Sequence, residues 1–296
     1  MSNSNKTSLG ERIQSYEFPS TSRKAFKGQP LVVRLKNEYF ILFAKDAVYC
    51  NYGDSLSRLM VETSKALVDR FRAKIGYTQS GEITLVWNIG TDDSAEFPFF
   101  GRFQKIESQL AAYATAFFTK KLAEYLPEKT EQLAIFDARA FVVPNLMEAY
   151  HAILWRQQKA IKNAAMSAIL LCAKDAASDK ALQEKTQKKQ VTPEMQETMT
   201  TMFGVNFNDY PTHFKRGTFL RRVKHKRLLS ETEIADSTQA QRSTGPVVWW
   251  SIEELDIWLS RQVKPLDVLF FDAEPGAFTG AVNAKDVLRA SGDGDL

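Results

Sequence analysis

Between residues 31 and 227 the hydrophobic pattern changes period repeatedly, and this succession limits the fold more than any other feature. An apolar run at 31–35, broken by Arg34, reads as a strand, and a second apolar run follows at 39–43. Leu56, Leu59, Met60, Thr63, Leu67 and Phe71 then recur at helical spacing, which predicts a helix over 55–74 ended by Gly76. Alternation and β-branching predict a strand over 83–87, with a tight turn at Gln79-Ser80-Gly81-Glu82 before it. An Ala-rich helix over 103–125, a strand over 134–143 and a helix over 145–173 come next. Residues 174–190 are charged and poor in apolar side chains, either an exposed helix or a loop. Thr192 and Pro193 open a further helix that stops at Gly204. A polar loop with aromatics at 206–217 leads into a strand at 218–223. The order β-β-α-β-α-β-α-α-β predicts an α+β domain with one mostly antiparallel sheet and helices on one face, of palm or ferredoxin-like type.

The two ends read differently. Residues 1–30 form a polar arm with turn residues at Pro19, Ser20, Gly28 and Pro30, and 31–227 form the main domain. Residues 228–296 form a linker and a small acidic, aromatic C-terminal extension. Within it, 251–259 predicts a short helix, 268–271 a strand-like run, and the final SGDGDL reads as disordered. Trp249, Trp250, Trp258, Phe270 and Phe271 suit docking onto the main domain or onto a partner.

The net charge of +4 hides a split. Residues 228–296 hold 12 acids and 5 bases, a net of −7, which leaves +11 on residues 1–227. Such asymmetry favours a polyanionic partner, with solvated surface charge as the competing reading. Cys50 and Cys172 are too few for a disulfide framework and sit in apolar contexts. With only His151, His213 and His225 besides, a Cys/His zinc site is excluded. There is no apolar stretch of membrane-spanning length and no signal-peptide core near the start, so a soluble protein with no membrane partner is expected.

Five segments, in order over about residues 30–222, carry a family likeness. They are Val33-Arg34-Leu35, Tyr77 to Trp87 with Gln79-Ser80-Gly81-Glu82 inside it, Phe136-Asp137-Ala138-Arg139-Ala140-Phe141, Trp155-Arg156-Gln157-Gln158, and Asn208 to Gly217 with Tyr210-Pro211 and Phe214-Lys215-Arg216-Gly217. Together the chain resembles the tRNA-His guanylyltransferase family, most closely its bacterial and phage-type 3′-to-5′ polymerases. The resemblance implies a palm domain, a cytoplasmic location (the host cytoplasm for a viral chain), and chemistry that adds nucleotides to RNA 5′ ends after activation by ATP or GTP. It also implies two Mg²⁺ ions held by carboxylates on adjacent strands, and a homo-oligomer, since the family's members assemble.

The departures from the family pattern are concentrated at the metal site. Where the family has Asp-Gly-Arg, this chain has Lys36-Asn37-Glu38; its Gln-Ser-Asp-Glu is Gln79-Ser80-Gly81-Glu82; and an Asp after Trp-Arg-Gln-Gln is Lys159. Losing the first two aspartates alone raises the local charge by about three units, which opposes divalent cations. Glu38 lies on the same strand face but roughly 6–7 Å along. Glu82 is expected as a remnant, salt-bridged to Lys36. No cofactor and no metal are then expected. Arg34, Ser80, Lys105, Asn163 and Lys215 match positions the family uses near a nucleotide triphosphate. Arg34 also suits a carboxylate partner, Lys105 a solvated first-turn lysine, and Asp137 with Arg139 an ion pair between strand and helix.

Lys215, Arg216, Arg221, Arg222, Lys224, Lys226 and Arg227 place seven cations in 13 residues, interleaved with Phe214 and Phe219. Such a face neutralises phosphates in a salt-dependent way. No motif for single-strand sequence recognition is present and there is no DNA signature, so structured RNA, a tRNA or ribosomal RNA free or on the ribosome, is the expected partner. The expected function is a catalytically inactive, RNA-binding relative of the guanylyltransferases. The alternative is an active nucleotidyltransferase using Mg²⁺ and GTP or ATP through Glu82 with Glu38 or Asp137. The acidic tail is expected to cover the basic face, so that truncating 228–296 would raise RNA affinity.

Overall fold

The structure, a computed structural model, describes residues 8–40, 42–43, 54–175, 206–227 and 247–275. The expected helix at 192–204, the stretch 176–190, the linker and the last residues lie outside them.

The expected polar arm contains a helix, α1 (Leu9–Thr21). Ser8 caps it: its Oγ accepts from the Glu11 amide at 3.2 Å, and Glu11 Oε2 accepts from the Ser8 amide at 2.7 Å. This reciprocal box satisfies two of the donors a helix start leaves unpaired. The arm then clips onto the main domain. The Ala25 amide donates to Gly101 O at 2.9 Å and the Phe103 amide to Arg23 O at 3.0 Å.

The core unit runs β1 (Leu31–Asn37), α2 (Asp54–Phe71), β2 (Ile75–Gln79), β3 (Glu82–Trp87), α3 (Phe103–Tyr125), β4 (Phe136–Val142). Then follow α4 (Leu146–Asp175), the short α5 (Thr212–Arg216), β5 (Thr218–Arg227), β6 (Val247–Leu255) and the short α6 (Pro265–Phe270). All pairings are antiparallel and the strand order is β4-β1-β3-β2-β5-β6. The first four strands give the ferredoxin-like order, extended by two.

Strand alternation divides the side chains between two cores. Leu31, Val33, Leu35, Ile83, Leu85 and Trp87 face α2 and α3. Val32, Ile75, Tyr77, Val86 and Phe219 face the other way, against Ala149 and Ile153 of α4. On this second face Arg34 and Lys36 follow Val32 along β1, so the polar residues of the family segments share one side of the sheet with α4.

Two local readings are corrected here. The run at 39–43 is not a strand. Asn37 Oδ1 accepts from the Tyr39 amide at 3.1 Å, which turns the chain, and Phe43 is buried with its ring 5.2 Å from that of Phe118. Gly76 does not end α2; it lies inside β2, where a Cβ would stand 2.7 Å from Val68 Cγ2. The glycine marks close approach of helix and strand rather than a stop signal.

The C-terminal segment is the larger correction. The expected helix at 251–259 is mostly strand β6, paired with β5 from Phe219↔Leu255 to Arg227↔Val247. β-Branched and aromatic Val247-Val248-Trp249-Trp250 favour that pairing. The expected strand at 268–271 is helix α6, started by Pro265, with Val268, Leu269 and Phe270 buried in the second core. Buried Gln157 of α4 fastens the segment, donating to Ile257 O at 2.8 Å and accepting from the Leu259 amide at 2.9 Å. The segment is therefore a structural strand and part of the core, not a removable cover. Truncation at 228 would strip the second core and not simply uncover a basic face.

Candidate functional site

At the ends of β1, β2 and β3, beside the middle of α4, lies a cleft of about 180 Å³. The Ser80-Gly81 turn closes the β2–β3 hairpin, with Ser80 in the left-handed region at φ 54°, and Gly81 O accepts from the Asn37 amide at 2.8 Å. These bonds bring the family's two aspartate positions, Lys36 and Gly81, to one wall. Arg156, Lys159 and Asn163 of α4 form the facing wall.

Glu82 does not salt-bridge Lys36, although the two are register partners. Arg34 takes it instead, with Nε 3.1 Å from Oε2 and Nη2 on Oε1, and Arg156 Nη1 lies 3.6 Å from Oε2. A planar guanidinium matches both carboxylate oxygens, which a lysine cannot do. Lys36 turns to Glu38, Nζ to Oε2 2.9 Å, and holds that carboxyl below its ordinary value. Burial lowers the pKa of Arg156, reinforced by repulsion from Arg34 and opposed by Glu82. Arg156 and Lys159 also lie 4.3 and 5.8 Å from the Trp155 ring centroid. Asp137 and Arg139 pair at 3.4 Å, but along β4 rather than between strand and helix.

Gly81 has a specific neighbour. A Cβ there would stand 2.5 Å from Phe40 Cγ and 2.6 Å from its Cβ. The Phe40 ring fills the space into which a side chain at 81 would project. Asn37 is buried, and its Nδ2 has no partner among the described residues. Asn37, Phe40 and Arg156 line the cleft, yet none of them was expected as a site residue. Arg156 lies inside a family segment and Asn37 and Phe40 just after one, the one signal that could have marked them.

The five residues expected near a nucleotide separate. Ser80 and Asn163 line the cleft, and Arg34 reaches it through Glu82. Lys105 is exposed in the first turn of α3, which packs on the opposite face of the sheet, and does not line the cleft. Lys215 is buried, donates to Asn208 O at 2.6 Å and does not line it either. Burial, with Arg216 beside it, lowers the pKa of Lys215.

The basic stretch separates as well. Arg221 is almost fully buried; it binds Glu253 at 2.7 Å and donates to Val268 O and Ala273 O at 2.7 and 2.6 Å. Arg216 lies over the Trp258 ring and 3.4 Å from Asp256. Lys215 and Arg221 are thus internal and unavailable to phosphates, which corrects the expected seven-residue face. Tail carboxylates neutralise the inner half of β5, while Lys224 and Lys226 of the outer half are exposed and Arg222 is half-buried. No helix among the described residues is long and apolar enough to cross a membrane.

Sheet order, the two helices on one face and the strand-end cleft define a palm-type α+β domain. The family model described as Thg1, tRNAHis guanylyltransferase, matches residues 10–144. The tRNA(His) guanylyltransferase of Schizosaccharomyces pombe is 22% identical over 239 residues, 78% of this chain and 88% of that one. An uncharacterized protein of Acanthamoeba polyphaga mimivirus is 29% identical over 174 residues, 51% of this chain, and the match spans only 58% of the viral protein. Among solved structures, a bacterial tRNA(His) guanylyltransferase (Thg1)-like protein in complex with ATP superposes with a TM-score of 0.65 at 26% identity, covering 89% of this chain and 99% of that one. The chain is thus similar to Thg1-like proteins in sequence over residues 10–144 and in fold over most of its length.

Proposed function

We propose that this chain binds structured RNA, a tRNA or ribosomal RNA, and has given up metal-dependent nucleotide transfer. The observation that carries the reading is the engagement of Glu82, the one acidic residue kept in the hairpin, by Arg34 and Arg156. Two hard divalent cations need several oxygen ligands. The residues standing at the site are an ammonium (Lys36), a glycine under a phenyl ring (Gly81 with Phe40) and this doubly paired carboxylate. That set does not fit the ions. The carboxylates that a rearranged site would recruit, Glu38 and Asp137, are paired with Lys36 and Arg139. Among the described residues no group of three or more His, Cys, Asp or Glu side chains is arranged to hold a metal.

The RNA half of the reading rests on charge and kinship. Residues 1–227 carry +11, and two of the relatives are named as tRNA(His) guanylyltransferases. Its test is a gel-shift series with tRNA and ribosomal RNA at increasing salt. Arg222, Lys224, Lys226 and Arg227 predict a slope of log affinity on log salt of about −3 to −4. Affinity then falls about 50-fold or more between 0.05 and 0.2 M salt. Binding that is absent at 0.05 M, or indifferent to salt, overturns it.

A further inference from the structure

The outer half of β5 extends past the palm. β2 pairs with β5 only from Thr218 to Arg221, whereas β6 follows it to Arg227. From Val223 onward the two strands form a ribbon, with no third strand on the β2 side among the described residues. Alternation puts Arg222, Lys224 and Lys226 on one face, opposite Ile252, Trp250 and Val248. Val223 and His225 lie on the other face, opposite Ser251 and Trp249.

Both tryptophans have a ring neighbour and are still exposed. Arg222 sits 3.7 Å from the Trp250 ring centroid and Lys224 5.7 Å from it. Trp249 stacks with His225 at 5.2 Å and 15°, and His225 Nε2 is fixed 2.7 Å from Ser251 Oγ. Each tryptophan remains 44% exposed, far more than a core role explains. Residues 247–252 carry no charge, so the outer cations of β5 have no carboxylate across the ladder, whereas Arg221 has Glu253.

We infer that this ribbon grips unpaired RNA, with Lys224 and Lys226 on phosphates and the exposed rings of Trp249 and Trp250 stacked on bases. Cations beside aromatic platforms are the physical requirement for binding a single strand without reading its sequence. The inference rests on the RNA-binding reading and names the surface and the part of the RNA it takes.

The experiment uses the full chain with two labelled probes, a 12-nucleotide oligouridine and a blunt 12-base-pair RNA duplex, followed by anisotropy at several salt concentrations. For oligouridine, Trp249→Ala and Trp250→Ala each weaken binding about 5- to 100-fold and leave the salt slope unchanged. Trp249→Phe and Trp250→Phe restore most of it, because a phenyl face still stacks. The pair Lys224→Ala and Lys226→Ala reduces the slope by about 1.4. Oligouridine quenches wild-type tryptophan emission, and the quench disappears in the double Trp→Ala variant. Unchanged melting temperatures show that the variants fold. If the Trp→Ala variants bind oligouridine as wild type does while both probes still bind in a salt-sensitive way, the inference fails and the RNA-binding reading stands. If neither probe nor tRNA binds wild type at low salt, both fail. A dimer seen by sedimentation that the Trp→Ala variants dissolve, with RNA affinity intact, overturns the inference in favour of a second copy of the chain as the occupant.

Discussion

Replacing Gly81 with Asp restores the acid that the family pattern has at that position, yet this structure does not accept it. The new Cβ would lie 2.5, 2.6 and 2.8 Å from Phe40 Cγ, Cβ and Cδ2. Carbon atoms sit comfortably at about 3.5–4.0 Å, so the ring must move by about 1 Å or more. Overpacking of this kind costs about 1–3 kcal/mol. Removing a glycine returns about 0.4–1 kcal/mol through the unfolded chain, and the carboxylate gains little at a partly solvated site near Lys36 and Arg156. A net loss of about 1–2 kcal/mol is expected, lowering the urea midpoint by about 0.5–1 M. In a Phe40→Gly background the obstruction is gone, the Cβ of residue 40 included, and Gly81→Asp becomes neutral or stabilising, a coupling of about 1–2 kcal/mol. Urea titrations of the four proteins measure it. Calorimetric titration with Mg²⁺ or Mn²⁺ is expected to show no binding for Gly81→Asp alone, because Lys36 remains. Equal midpoints for wild type and Gly81→Asp, with no coupling to Phe40, would refute the reasoning.

Three further outcomes are expected. Arg221→Ala leaves Glu253 and two carbonyls without their partner and destabilises by about 2–4 kcal/mol; Arg221→Lys does not rescue it, whereas Lys224→Ala stays within about 0.5 kcal/mol. Urea unfolding separates the two classes. Glu82→Gln leaves Arg34 and Arg156 facing each other at a site mostly out of solvent and lowers stability by about 1–3 kcal/mol, and a second change, Arg156→Gln, recovers part of the loss in the same assay. His213 has its pKa lowered by burial, with Asp54 opposing, and its Nε2 lies 3.0 Å from Asp54 Oδ1 without hydrogen-bond alignment. The unfolded chain therefore binds this proton first as pH falls. Stability is complete above the ordinary value of 6.5 and declines between there and the lower native value. His213→Gln should flatten that part of the stability–pH curve, and an unchanged slope would count against burial as the cause.

What could be read in the residues follows from how local the signal is. α3 was legible to the residue because its apolar positions repeat over about five turns, from Phe103 to Leu122. The central strands were legible because 31–35 is a short apolar run and 83–87 combines alternation with β-branching, both local signals. β2 was hidden because Gly76, a helix breaker by type, serves here as the contact between Val68 and the sheet. The last segment was misread for the opposite reason. Val247 to Trp250 and Val268 to Phe270 are short apolar runs whose state depends on a distant partner, β5 for one and α4 with β2 for the other. At the site, the replaced acids were visible in sequence, but the pairing was not. Register places Lys36 opposite both Glu82 and Asp137, and the choice fell to side-chain reach: Arg34 and Arg156 took Glu82, leaving Lys36 to Glu38. Likewise, counting cations in β5 could not separate Arg221, which is internal, from Lys224, which is exposed, since only the carboxylates of β6 and beyond make the difference.

The central claim is that this cleft has changed from holding metal to being held together by its own ion pairs. Incorporation of labelled GTP or ATP at the 5′ end of tRNA, with Mg²⁺ and protein in excess over RNA, tests it most directly. No incorporation is expected, alongside undiminished RNA binding. Incorporation that Glu82→Ala abolishes would contradict the claim.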